Sequence, residues 1–559
     1  MPFLVDAYRF ARNPAQEQAI ARDLRQTRAA SRFLAELPAV PIDAPTALVG
    51  LYRDDIFDTK VGLVLGSALR ARGVRPVLLT PSERNQRIRR YAKAFGVNDV
   101  RSRDRVELTH AESDAIQVAA SDLLAGPIDF EHMRAWTYAG YQVGYHVVST
   151  LIRRTFDGSP DLHLDANRAL VADILDEVLR AYVVCGRILH EVAPEVVLVE
   201  EANYAVNGPL VDVAVARGID VIQTIVTWRD DALMSKRLTT ANRRVDAKSV
   251  APETLTRLTT DHGFPPPAEL DAQLDADFGY RYDGRWAQSA QFQPNTRAFT
   301  GDQIVEAIGL DPAKPTAVVF AHVLWDATLF FGVDLFDNYA DWLRQTVLAA
   351  AANTNLNWVV KTHPSNVFRS AHGDVAAGAS SEGEIVRTAL PSLPAHVHVL
   401  APDTPISTVS LYRFADYGVT VRGTAGLEMA CFAKPVLTAG TGAYSGLGFT
   451  YDSETKAEYL DRIATIETLG PLDHEMTARA RRYAHTLFVR RPWVSQSFRL
   501  RFEFLDRGWH PLDRNLEWTI GSVEELSDSV DLGRWATWAM ASEDADLLAA
   551  GLLEQHVDP

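Results

Sequence analysis

The chain has 559 residues, 47% of them hydrophobic and 23% charged, with a formal net charge of −16. That length exceeds one typical core, so at least two domains are expected. An acidic surface excludes a general nucleic-acid binder, because a phosphate backbone demands basic partners. Two cysteines, Cys185 and Cys431, exclude a disulfide framework and point to buried thiols in a reducing compartment. The first residues, MPFLVDAYRFARNP, lack the basic flank and apolar core of a signal peptide. No run approaches the roughly 18 apolar residues of a spanning helix, so a cytoplasmic protein is expected.

Residues 15 to 37 carry helical periodicity that ends at Pro38, and we take 1–40 as an N-terminal helical segment. A first Rossmann-like domain is expected over 41–235. Thr46 to Leu51 is a strand candidate, Thr59 to Arg72 a helix, and Pro76 to Leu79 the next strand after a glycine stop. Val196 to Val199 reads as a buried strand, and Glu200, Glu201 and Tyr204 follow it. Acids at the carboxyl edge of a parallel strand lie where open α/β sheets bind ligands; the alternative is a pair of solvated loop acids or helix caps. From 236 to 310 the pattern loosens into polar helical fragments, an interdomain region long enough for part of it to pack on the first domain.

A second Rossmann-like domain is expected over 311–470. Thr316 to Phe320 is a strand whose following loop carries His322, Trp325 and Asp326. The strand Trp358 to Val360 stops at Lys361-Thr362-His363-Pro364, and the proline prevents it from simply continuing in a sheet. Lys and His at one strand end suit a phosphate, one as a point charge and the other as a hydrogen-bond donor. The run Gly418 to Val421 meets the small-residue turn Arg422-Gly423-Thr424-Ala425-Gly426 and then a helical segment. Free backbone N–H groups and a helix dipole make that turn an anion site, unless its glycines only permit close packing. The tail, 471–559, is read as a helical extension in which an arginine-dense, aromatic part packs with snorkelling arginines. No metal-ligand spacing, phosphate-binding P-loop or dinucleotide fingerprint occurs.

The pattern K-x-H-P, then R-G-T-A-G-L-E-M-A-x-x-x-K-P-V, then G-x-x-x-Y-x-G-L-G-F-T resembles bacterial capsule polysaccharide biosynthesis proteins. Within that group it is most similar to the Kdo transferases that build capsule linkers. The resemblance covers mainly residues 311 to 460; Glu200 to Ile222 is similar to the family's first domain. It implies a GT-B glycosyltransferase: two Rossmann-like domains in tandem, nucleotide-sugar donor on the second, polysaccharide or lipid-linked glycan acceptor on the first.

Carried over, His363 and Thr424 hold the donor phosphate, with Lys361, Pro364, Arg422, Gly423 and Gly426 around it, and Glu428 reaches the ribose hydroxyls. Catalytic candidates are Glu200, Glu201 and Asp326, with Tyr204, His322 and Trp325 lining the cleft. Related sialyltransferases carry an acidic pair followed by glycine; here Ala202 follows the acids. A CMP-activated donor is favoured, with no metal or other cofactor required, and peripheral association with the inner face of the membrane through partners stays open. The alternatives are a teichoic-acid-type polyol-phosphate transferase using a CDP donor and a non-catalytic assembly or export scaffold.

Overall fold

The computed structural model describes residues 13–261, 263–326, 329–365, 381–503 and 510–549. The first sheet begins with β1 (Thr46–Gly50), β2 (Arg75–Thr80), β3 (Val100–Ser102), β4 (Val196–Val199), β5 (Asp220–Val226) and β6 (Ala232–Leu238). The second contains β7 (Thr316–Phe320), β8 (Asn357–Lys361), β9 (Val397–Leu400), β10 (Tyr417–Thr420), β11 (Val436–Thr438) and β12 (Tyr451–Asp452). The tail adds β13 (Trp493–Val494), β14 (Phe498–Phe502) and β15 (Arg514–Trp518).

The strands are short apolar runs such as TALVG, VVLV and TAVVF, buried along their whole length. Such runs belong in parallel sheets covered on both faces. The second sheet has the order β12-β11-β10-β7-β8-β9, all parallel. The first has β13-β6-β5-β4-β1-β2-β3, parallel from β5 to β3, with β6 and β13 antiparallel at the far edge. Both are doubly wound. The chain leaves the central strand in one direction, returns, and continues on its other side. The switch points lie between β1 and β4 in the first sheet and between β7 and β10 in the second, and ligands of such sheets bind at these crevices. The fold is therefore two Rossmann-like domains in tandem, as expected. Among the described residues no helix is long and apolar enough to cross a membrane.

The tail differs from the helical extension read from the sequence. It contains the helices His474–His485 and Val530–Ala541, but β14 and β15 form an antiparallel pair and β13 joins the edge of the first sheet. Its arginines do not all snorkel. Arg491 is fully buried, pairs with Asp546 at 3.2 Å and donates to the Ala247 carbonyl at 2.9 Å. Lys236 of β6 meets the same carboxylate at 2.9 Å. A buried ion network of this kind fixes one docking geometry because each member left alone would be an uncompensated charge. Trp493 and Trp535 both donate to Ser235 Oγ, at 3.3 and 3.1 Å, and share one apolar core with β1, β2 and the helix Ile56–Arg70. The tail thus completes the first domain's core.

The interdomain region packs in two directions. Its β6 portion is a strand of the first sheet, whereas the helix Pro267–Tyr282 lies on the helix His474–His485 and on the second domain's glycine-loop helix. Truncating the fully buried Trp535 to alanine is expected to cost about 3–5 kcal/mol. Urea unfolding should show that loss if the tail belongs to the first domain's core; a change within error would show that the tail docks without contributing to it.

Candidate active site

The crevice of the second domain is built around a histidine. His322, two residues past β7, uses Nε2 to accept the Val421 N–H at 3.2 Å, and Thr420 Oγ1 lies 3.1 Å from the same nitrogen. It stacks on Tyr339, with ring centroids 4.5 Å apart. Burial, then Arg422 and His363, lowers its pKa to about 3. A neutral ring that accepts at Nε2 carries its proton on Nδ1. His322 therefore ties the ends of β7 and β10 together and fixes the turn at Gly423.

The helix Thr424–Cys431 starts on that turn, with Gly423 as an N-cap that has no side chain to offer. The backbone N–H groups of Thr424 and Ala425 lie in a first turn without intrahelical acceptors. Among the described residues neither is capped, and the Thr424 hydroxyl makes no hydrogen bond. Gly426 has a packing reason as well: a Cβ there would lie 2.2 Å from Tyr444 Oη, which donates to the Gly423 carbonyl at 2.6 Å.

At the end of β8, His363 Nδ1 accepts the Ser365 N–H at 3.2 Å, which leaves the proton on Nε2. Burial, then Lys361, lowers its pKa to about 4, with Asp326 opposing. Lys361 is buried, donates to the Thr362 carbonyl at 3.1 Å, and is lowered by burial to about 8 against the pull of Glu382. Both are hydrogen-bond donors at neutral pH. Pro364 turns the chain after them.

Two expected donor-site residues are engaged elsewhere. Arg422 donates to Asp334 and to the Phe331 carbonyl, with its side chain only 7% exposed, so its charge is matched inside the protein. Glu428 is fully buried. One oxygen takes Arg281, and the other accepts from Tyr282 and Tyr412, each at 2.6 Å. This carboxylate joins the interdomain helix to the glycine-loop helix and is fully enclosed, out of reach of a ribose hydroxyl.

The loop after β7 leaves the second domain and docks on the first. Asp326 pairs with Arg153 and accepts the Tyr204 hydroxyl at 3.0 Å. Trp325 meets Phe156 edge-on at 5.0 Å, and the Arg153 guanidinium lies 5.3 Å from its ring centre. Phe330 packs edge-on against Tyr204 at 4.9 Å. Gly158 admits Leu324 so closely that a Cβ would lie 2.7 Å from the leucine Cβ.

The two acids after β4 part company here. Glu201 is turned toward the cleft. Its Oε1 accepts the Asn203 N–H at 2.9 Å; burial raises its pKa, and Asp326 adds to the rise. Tyr52, at the end of β1, is pushed up to about 12 by burial and then by Glu201. Glu200 is raised by burial, with Arg514 of the tail opposing and Glu201 and Asp55 adding to the rise. Arg514 stands 3.2 Å from both Asp55 and Asp58. Of the three catalytic candidates, Glu201 is influenced by Asp326 and Arg153 of the cleft, whereas Glu200 is influenced by Arg514 of the tail as well as by Glu201.

Three contributors were absent from the sequence reading: Tyr52, Arg153 and the pair Arg243-Arg244. Arg243 donates to the Ala202 carbonyl at 2.9 Å, to Asn203 Oδ1 at 3.0 Å and to Asp212 at 2.6 Å. Arg244 donates to the Leu329 carbonyl at 3.1 Å, and its own carbonyl accepts the Gly332 N–H at 2.9 Å. Adjacent residues thus fasten the Glu201 loop of one domain and the Asp326 loop of the other.

Residues 300–469 match the family model described as capsule polysaccharide biosynthesis protein, which bears out the resemblance over that part of the chain. No curated protein matches the chain. Among solved structures, KpsC of Thermosulfurimonas dismutans, a beta Kdo 2,4 transferase, aligns at 15% identity with a TM-score of 0.33 over 54% of this chain and 81% of that one. The UDP-GlcNAc 2-epimerase of Neisseria meningitidis aligns at 10% identity with a TM-score of 0.26, covering 79% and 97%. CalG4, the calicheamicin glycosyltransferase, gives 12%, 0.26, 80% and 94%. Likenesses at these scores identify neither fold nor activity.

Arg243→Lys removes the fork that holds Ala202 and Asn203 and is expected to cost about 1–3 kcal/mol. Hydrogen exchange should accelerate at residues 201–205 in that variant. Unchanged exchange there would show that the loop is held by other contacts.

Proposed function

We propose that this chain is a glycosyltransferase of capsule polysaccharide synthesis, of GT-B type. In this reading it moves a sugar from a nucleotide donor, CMP-activated in the favoured case, to a polysaccharide or lipid-linked glycan. The observation that carries the reading is the contact across the two switch-point crevices, in which Asp326 of the donor domain pairs with Arg153 and Tyr204 of the acceptor domain.

The donor phosphate sits at the start of the helix Thr424–Cys431. It takes the Thr424 and Ala425 N–H groups and the Thr424 hydroxyl, with His363 Nε2–H as a further donor and Lys361 as the nearby charge. The phosphate leaves with the electron pair of its bond to the sugar, and these groups stabilise the charge it gains. Glu201 accepts the proton of the attacking acceptor hydroxyl. A carboxylate raised by burial is a stronger base than a solvated one, and proximity lets it act as the new bond forms. Asp326 orients Tyr204 and Arg153 and keeps a negative charge near the developing oxocarbenium. No metal or cofactor takes part in this scheme. The reading places the protein in the cytoplasm, with access to a membrane-borne acceptor through partners.

Thermal unfolding with CMP, CDP, UDP and GDP tests the donor site, since a ligand bound by the native state raises Tm by mass action. The expected result is a rise with a cytidine nucleotide that His363→Ala or Thr424→Val removes; no rise with any of the four would contradict the reading. Affinity should also fall as pH rises through about 8, because Lys361 then loses its proton, and Lys361→Met should flatten that dependence. In a transfer assay Glu201→Gln should lower kcat by at least about 100-fold, and Glu200→Gln should leave most of it. Equal losses would mean that Glu201 is not the base.

A further inference from the structure

Beside the first domain's crevice lies a cavity of about 670 Å³ that the transfer chemistry does not use. Its size falls in the range of about 300–1,000 Å³ usual for small-molecule sites. It opens past the carboxyl ends of β2 and β3 and the first turn of the helix Tyr204–Ala216, along one side of the helix Asp165–Val192. The floor is apolar, from Ala181, Val184 and Ala205.

One wall is Arg103. Its guanidinium donates to the Val206 carbonyl and, at 2.6 Å, to Asn207 Oδ1, and no carboxylate lies within ion-pair distance of it among the described residues. Its Nε has no hydrogen-bond partner. Burial lowers its pKa, and only the Cys185 thiol, not a carboxylate, opposes the effect. A guanidinium held in a protein wall without a counter-ion is costly, and a bound anion relieves that cost. The anion is singly charged. Asp104, Glu107 and Glu177 also line the cavity and would repel a dianionic phosphate, while of its two arginines Arg180 is already paired with Asp176 at 2.6 Å and Arg103 alone offers an unmatched charge. Acidic and basic groups around an apolar floor suit the hydroxyls and C–H face of a sugar.

The cavity is wired to the crevice. Asn207, fully buried, takes Arg103 on its oxygen and donates its amide nitrogen to the Glu201 carbonyl at 2.7 Å. A group that settles on Arg103 therefore stands one side chain away from the residue assigned as base.

We propose that this cavity is an acceptor subsite that binds a carboxylate-bearing sugar residue through Arg103, next to the residue whose hydroxyl is glycosylated. The assignment rests on the first domain being the acceptor side. Asn207 makes occupancy of the cavity and the position of Glu201 mutually dependent.

The test is binding of D-glucuronate and D-glucose to the full chain by saturation-transfer NMR, alongside nucleotide thermal shifts on the same samples. Glucuronate should bind at least tenfold more tightly than glucose. Arg103→Gln should erase the preference, and Ala181→Trp, which fills the cavity, should abolish binding of both sugars. A retained nucleotide shift in each variant shows that the fold is intact. Equal binding of the two sugars, no binding of glucuronate, or undiminished binding in Ala181→Trp would overturn the proposal. Failure of the donor reading appears separately, as absence of a nucleotide shift in the wild type whatever the sugars do.

Discussion

The contact on which the rest of the arrangement depends is Asp326 of the second domain held by Arg153 and Tyr204 of the first. Each domain alone carries half of a site: a glycine turn with a histidine and a lysine on one, an acid at a strand end on the other. Neither half supplies both a phosphate cradle and a proton acceptor. The loop after β7 crosses the cleft, and the pairing of its carboxylate sets the distance between the halves. Tyr204 is itself held in the left-handed region, at φ 60°, where a bulky residue persists only if its surroundings impose it. Asp326, Phe330 and the Arg243 fork on the preceding residues are those surroundings.

Charge is distributed in keeping with this division. The chain is acidic overall, yet the groups at the glycine turn are donors: helix N–H groups, a histidine with its proton on Nε2, and a lysine. Of the carboxylates near them, Asp334 is matched by Arg422 and Glu428 by Arg281, while Glu382 acts on Lys361 itself. Salt-bridged arginines around the site thus keep acids from competing for the anion position. They are structural, although in the sequence they look like ligands.

Local pattern was enough to read the strands and their ends. The apolar runs before Glu200 and Lys361, and the small-residue turn before the helix at Thr424, are features of a few consecutive residues, and their positions in the sheets follow from the α/β alternation. The partner of each side chain depends on distant segments. Glu428, one turn into its helix, looks free until Arg281, Tyr282 and Tyr412 arrive from elsewhere in the chain. Arg153 ends an apolar helix and was indistinguishable from a snorkelling arginine. Glu200 and Glu201 are neighbours in sequence, yet Arg514 of the tail acts on the first and Asp326 on the second, a difference that only the tail's docking reveals. One signal was present and unread: F-R-L-R-F and R-N-L-E-W alternate with period two, as the paired strands β14 and β15 require.

The central claim is that the Asp326 loop is energetically part of the first domain's crevice. A double-mutant cycle between Tyr204→Phe and Asp326→Asn, read as unfolding free energy, measures that directly. Groups in contact within one network couple by about 0.5–3 kcal/mol, and a coupling in that range is the predicted result. Strict additivity of the two substitutions would contradict the account.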